Sequence, residues 1–176
     1  RACQLAAKAR YLNPREKDQV RVAVKLALAG AGIDPEDLPD FATAREMWLR
    51  GIGVHHAGLL PVVKEIVELL LERRLLRVVY TTETFAVGVN LPVRTVCFDS
   101  LQKYDGRGFR YLTQQEYFQM AGRAGRRGLD RRGTVFTLAD FAKLRRDPPP
   151  TWDEAMLAPI QSRFSLTCLS RPGSVP

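Results

Sequence analysis

Three short apolar runs set the tightest limit on how this chain folds: RVVYTT at 77–82, TVCFDS at 95–100 and GTVFTLA at 133–139. Each is rich in β-branched residues, and none alternates strictly between apolar and polar side chains, so each reads as a strand covered on both faces. Helical segments separate the first run from the third. Strands joined through helices pair in parallel, because a parallel neighbour needs a long crossover that a hairpin cannot supply. The expected fold class is therefore α/β, a parallel sheet with helices on both faces.

The helical segments carry their own punctuation. One covers about residues 15–30 and stops at Gly30 and Gly32, after which DPEDLPD offers a cap and a turn. The opening RACQLAAKARYL reads as a helix already under way. In GIGVHHAGLLP a short extended run meets a loop, and Pro61 suits the first turn of the next helix. That helix, VVKEIVELLL at 62–71, is interrupted by Lys64, Glu65 and Glu68, and is a core helix, too short to cross a bilayer. Beyond Ala139 the periodicity fades, and RRDPPPTW has the composition of a linker. The expected organisation is one domain over 1–140, then a linker and the start of a helical region over 141–176.

Charge narrows the partners. The 176 residues hold 27 Lys and Arg against 19 Asp and Glu, a net charge of +8. Such a balance favours polyanions, with nucleic acid and an acidic membrane surface both open on this ground alone. Cys3, Cys97 and Cys168 are far apart and form no CxxC pair. This argues for a reducing compartment, cytoplasmic or nuclear, and against structural zinc. The adjacent pair His55 and His56 lacks a carboxylate at ligand spacing and reads as structural on these grounds.

The strongest chemical signal is EYFQMAGRAGRRGLDRRG at 116–133. Thr113 and Glu116 form an S/T-x-x-E capping box, so a helix is expected to begin there and bury Tyr117, Phe118, Met120 and Ala121. Arg123 and Arg126, three apart, would project side by side near its end. Two planar guanidinium forks suit a chain of phosphates, and Gly122 and Gly125 would let a bulky ligand approach the backbone. A solvated basic helix end, favoured by the helix dipole, presents the same arginines but gains nothing from the glycines. In TTETFAVGVNLP at 81–92, Thr81, Thr82 and Thr84 sit where a strand turns into a short helix, suited to phosphate oxygens or to an ordinary N-cap.

These strings also resemble a known family. QMAGRAGRRG is similar to motif VI of superfamily 2 helicases, Q-x-x-G-R-x-G-R, with Gln119, Gly122, Arg123, Gly125 and Arg126 in register. TTETFAVGVNLP resembles their motif V. The run KYDG followed by EYFQMAGRAGRRGLD looks like the Ski2-like branch of DExH RNA helicases more than the related Hel308-type DNA helicases.

The resemblance implies a RecA-like helicase C-terminal domain of P-loop NTPase type. It implies that Arg123 and Arg126 act as fingers on the γ-phosphate of ATP, with Gln119 orienting the hydrolytic site. Gly88, Asn90, Gly122 and Gly125 would lie at the nucleotide. His56, Gly58, Thr81, Thr82, Glu83 and Thr84 would lie along the nucleic-acid backbone, RNA first and DNA as the alternative. ATP and Mg²⁺ would be held mainly by a partner, the N-terminal RecA-like domain, since no G-x-x-x-x-G-K-[ST] string occurs here. The family's domain opens with a strand before the helix at Arg1, so that strand and the continuation beyond CLSRPGSVP are expected to be missing. A non-catalytic nucleic-acid-binding fragment is the reading from outside the enzyme class.

Overall fold

The computed structural model describes residues 8–82, 93–125, 130–139 and 164–170, the last stretch and Ala139 as backbone alone. The chain divides into two compact units, 1–91 and 92–176. The domain boundary expected near residue 140 falls inside the second of them, in residues outside those described.

In the first unit, helix α1 (Pro14–Ala31) begins where Asn13 and Glu16 cap each other reciprocally, with proline in the first turn. Val20, Ala23, Val24 and Leu28 lie three or four residues apart on its buried face. Asp34 caps a 3₁₀ turn (Pro35–Asp37), accepting from the Glu36 N–H at 3.0 Å. A short helix α2 (Phe41–Trp48), which the sequence reading did not anticipate, ends in a Trp48 only 1% exposed. Strand β1 (Ile52–His55), helix α3 (Pro61–Glu72) and strand β2 (Val78–Thr81) follow. Together they make a β-α-β unit, with β1 and β2 parallel and His55 opposite Thr81. Helix α3 buries Val62, Ile66, Val67 and Leu70 against α1 and Trp48.

The second unit pairs β3 (Thr95–Phe98) in parallel with β6 (Gly133–Ala139), and β6 in parallel with β7 (Phe164–Ser170). Between them lie an antiparallel hairpin, β4 (Gln102–Tyr104) with β5 (Phe109–Tyr111), and helix α4 (Gln114–Ala121). Strand β7 departs from the expected linker and helical start. It is set by parallel pairing with β6 along its whole length, from Gly133 opposite Phe164 to Ala139 opposite Ser170. Among the described residues, the core of this unit holds Phe98, Leu101, Leu112, Tyr117, Ala121, Ala124 and Val135.

All three strands expected from the apolar runs form and pair in parallel, but β3 lacks the expected cover on both faces, with Thr95 and Cys97 exposed. Among the described residues they fall into separate sheets, β1–β2 in the first unit and β3–β6–β7 in the second. The molecule is thus α/β, with a hairpin the continuous runs did not announce. No helix among the described residues is long and apolar enough to cross a membrane.

Candidate functional site

The first cluster lies at the carboxyl ends of β1 and β2, where ligands of open α/β sheets commonly bind. Parallel pairing sets His55, the last residue of β1, opposite Thr81, the last of β2, with His56 and Gly58 following the one and Thr82 the other. The Thr82 N–H donates to the His55 carbonyl at 3.4 Å, so strand pairing continues past the last paired residues. Both threonines are exposed, and the Thr81 hydroxyl donates to the Thr82 carbonyl at 2.9 Å. His56 is half-buried, and its Nδ1 accepts from the Gly58 N–H at 3.2 Å, folding the loop back on its own side chain. Residues distant in sequence therefore share one edge, as the expected nucleic-acid assignment requires. Glu83 and Thr84, assigned to the same edge, and Gly88 and Asn90, assigned to the nucleotide, lie outside the described residues.

Two side chains of α3 support this edge, and the sequence reading passed over both. Lys64 Nζ donates to the Ala57 carbonyl at 3.0 Å, and Glu68 Oε1 lies 2.9 Å from His55 Nε2. Lys64 and Glu68 are four residues apart and so lie along one face of the helix. Charged residues inside an apolar helix were the signal available. What they hold depends on the crossover, which no local pattern reveals.

The second cluster ends helix α4. The capping box forms as expected: Glu116 N–H donates to Thr113 Oγ1 at 3.2 Å, and Thr113 N–H to Glu116 Oε2 at 2.8 Å. The helix buries Tyr117 and Ala121, while Met120 is half-buried. Phe118 corrects the expectation: it is 43% exposed, because a short helix with Tyr117 and Ala121 inward turns position 118 outward.

The expected side-by-side arginines also need correction. Helix α4 stops at Ala121 with Gly122 as its C-cap, so Arg123 lies in the turn beyond it, not on a helical face. Arg126 falls outside the described residues. Gly125 carries φ of 94°, which no helix continues. The turn runs instead beside Val93: Val93 N–H donates to the Arg123 carbonyl at 3.0 Å, and Gly125 N–H to the Val93 carbonyl at 2.7 Å.

Gly133, at the start of β6, crosses this turn so closely that a Cβ there would lie 2.3 Å from the Ala124 carbonyl oxygen. In these described contacts the glycines serve the approach of one backbone to another. Gln119 and Gly122 remain exposed, Arg123 and Gly125 half-buried, grouped around the end of α4.

The start of α4 is anchored electrostatically. Arg110 forks onto Glu116, Nη1 to Oε2 at 2.9 Å and Nη2 to Oε1 at 2.7 Å, and Lys103 Nζ lies 2.7 Å from Oε1. The Arg110 hydrogen bonds, the Lys103 ammonium and the Thr113 N–H hold the Glu116 carboxyl well below the usual carboxylate range, against the opposing effect of burial. The β4–β5 hairpin is thereby bolted to the helix whose far end carries Gln119. No group of three or more His, Cys, Asp or Glu side chains among the described residues could hold a metal ion.

No protein-family model matches the chain. Curated relatives nevertheless align with most of the chain. The chain is 43% identical over 157 residues to the antiviral helicase SKI2 of Saccharomyces cerevisiae, covering 89% of this chain and 12% of that protein. It is 45% identical over 160 residues to Superkiller complex protein 2 of Homo sapiens, covering 86% and 12%. To the ATP-dependent RNA helicase mtr4 of Schizosaccharomyces pombe it is 43% identical over 134 residues, covering 76% and 12%.

Sequence and architecture together define the class, an α/β relative of RNA helicases. Within that class the chain is homologous, over most of its length, to the Ski2-like DExH branch. It spans about an eighth of the length of these relatives.

Proposed function

We propose that this chain is part of the C-terminal motor domain of an ATP-dependent RNA helicase, RecA-like in fold. It supplies arginine fingers and nucleic-acid backbone contacts for ATP-driven unwinding. One observation carries the reading: Gln119, Gly122, Arg123 and Gly125 gather at the end of α4 in a chain whose relatives include proteins named as ATP-dependent RNA helicases.

Arg123 and Arg126 would stabilise charge on the transferring γ-phosphoryl group, and Gln119 would orient the attacking water. Gly88, Asn90, Gly122 and Gly125 would line the nucleotide. His56, Gly58, Thr81, Thr82, Glu83 and Thr84 would follow the RNA backbone, which fixes position without reading bases. The ion and the phosphate cradle are assigned to the N-terminal RecA-like partner, since the sequence carries no G-x-x-x-x-G-K-[ST] string. The cytoplasm, or the nucleus as alternative, is the proposed place of work.

The test pairs the chain with a separately produced phosphate-loop domain of the same family and measures ATP hydrolysis with and without single-stranded RNA. Turnover is expected only with both domains present, stimulated by RNA. Arg123→Ala and Arg126→Ala should each cut it by about 10³-fold or more, with RNA affinity largely kept. Parallel collapse of binding and turnover would sink the finger assignment. The net charge of +8 favours a second reading, a nucleic-acid-binding fragment without turnover. In that case the same changes would only weaken affinity and lower the salt slope by about one charge. Single-stranded DNA as the better stimulant would point to the DNA helicase alternative.

A further inference from the structure

Helix α3 touches the edge formed by His56, Gly58, Thr81 and Thr82 at two points, and neither contact is explained by the packing of its apolar face. Lys64 reaches the Ala57 carbonyl at 3.0 Å. Glu68, one turn further on, meets His55 Nε2 at 2.9 Å. The His55 side chain is 7% exposed, too deep to meet a ligand itself. Its backbone carbonyl nevertheless receives the Thr82 N–H, and its neighbour His56 closes the turn onto Gly58. The hydrogen bond between the Glu68 carboxyl and His55 Nε2 fixes the orientation of the ring.

Resting on the nucleic-acid reading of this edge, we propose that Lys64 and Glu68 are positioning residues. They form a two-point clamp by which α3 sets the path of residues 55–58 and, through His55, of Thr82. Affinity for RNA then depends on two side chains that do not touch it. The clamp also makes a prediction opposite in sign to simple electrostatics. Removing an acidic residue beside a phosphate path should tighten binding through charge alone; here it should loosen binding, because the loop loses its support.

The experiment uses the full chain and a fluorescein-labelled single-stranded oligouridylate, with anisotropy titrations at several salt concentrations and a melting curve for every variant. Glu68→Leu should weaken binding about three- to tenfold, the range of one lost hydrogen bond, with the slope of log affinity against log salt unchanged. Glu68→Gln, which can still accept from His55 Nε2, should restore wild-type affinity. Lys64→Met should weaken binding by a similar factor, again at constant slope. A slope lowered by about one would make Lys64 a direct phosphate contact and overturn its half of the clamp. Equal or tighter binding by a folded Glu68→Leu variant would overturn the Glu68 half. Wild-type chain that fails to bind RNA even at low salt would overturn the nucleic-acid reading, and the clamp's role with it.

Discussion

In the first unit the parallel pair β1–β2 is flanked by apolar side chains of α1 and α3, with Trp48, Ile66, Val67 and Leu70 almost wholly withdrawn from solvent. In the second, the described residues of β3 and β6 are accompanied by apolar neighbours and by two contacts of another kind. One is the crossing of Gly133 over Ala124 and Gly125; the other is the anchoring of α4 by Arg110, Lys103 and Glu116. Apolar burial tolerates small shifts, since many weak contacts share the load. A backbone crossing without side chains and a charged hub do not, because each depends on a few atoms. Among the described residues, the proposed finger turn thus rests on a few specific backbone contacts.

The largest effect should come from emptying the first core. Trp48 is 1% exposed and meets Phe41 edge-on with ring centroids 6.0 Å apart. Trp48→Ala should cost about 3–5 kcal/mol, measured by urea unfolding. Amide exchange should rise through α1 and α3 while β3 and β6 keep their protection. Equal loss of protection in both units would show that they share one cooperative core, and the contrast would fall.

Gly133→Ala attacks the second unit by the opposite route, adding one carbon. It would sit 2.3 Å from the Ala124 carbonyl oxygen and 2.8 Å from the Gly125 nitrogen, both backbone atoms that cannot swing aside. The cost should be at the upper end of the about 1–3 kcal/mol typical of overpacking, with exchange rising first at Val93 and Gly125. Stability within about 0.5 kcal/mol of wild type, the ordinary scatter of surface changes, would show that the turn is free to move aside.

How much of this was legible in sequence follows from the range of each interaction. Strands β1, β2, β3 and β6, helix α1, the Pro61 helix start and the Thr113–Glu116 box rest on neighbours in sequence, and all were readable. The Phe118 orientation, the end of α4 before Arg123 and the β7 strand were not. Each is decided by a tertiary partner: Tyr117 stacked on Phe98 at 4.6 Å, Val93 beside Ala124, and β6 beside Phe164–Ser170. Motif positions marked the residues expected at the candidate site, but not that Lys64 and Glu68 contact the loop at one edge of it. That fact belongs to the crossover.

Acid separates the two units most gently. The carboxyl of Glu116 is held well below its ordinary 4.5, chiefly by the Arg110 hydrogen bonds and next by those of Lys103 and the Thr113 N–H. A depressed folded value means the stabilisation is present above the unfolded value and is lost as the pH falls beneath it. For Glu116 the loss therefore begins below about pH 4.5 and continues through the lowest pH at which the unit stays folded. The side chain keeps a quarter of its surface exposed, so solvent screening limits the whole contribution to about 1 kcal/mol. Glu116→Gln preserves the size and much of the cap, because glutamine serves at this position of the box. The variant should be about 1 kcal/mol less stable than wild type at pH 7 and should close that gap as acid is added. A gap that stays constant down to pH 3 would mean that the lost charge was never the source of the difference. The hairpin would then be held to α4 by shape and neutral hydrogen bonds, as the first unit is held by its core.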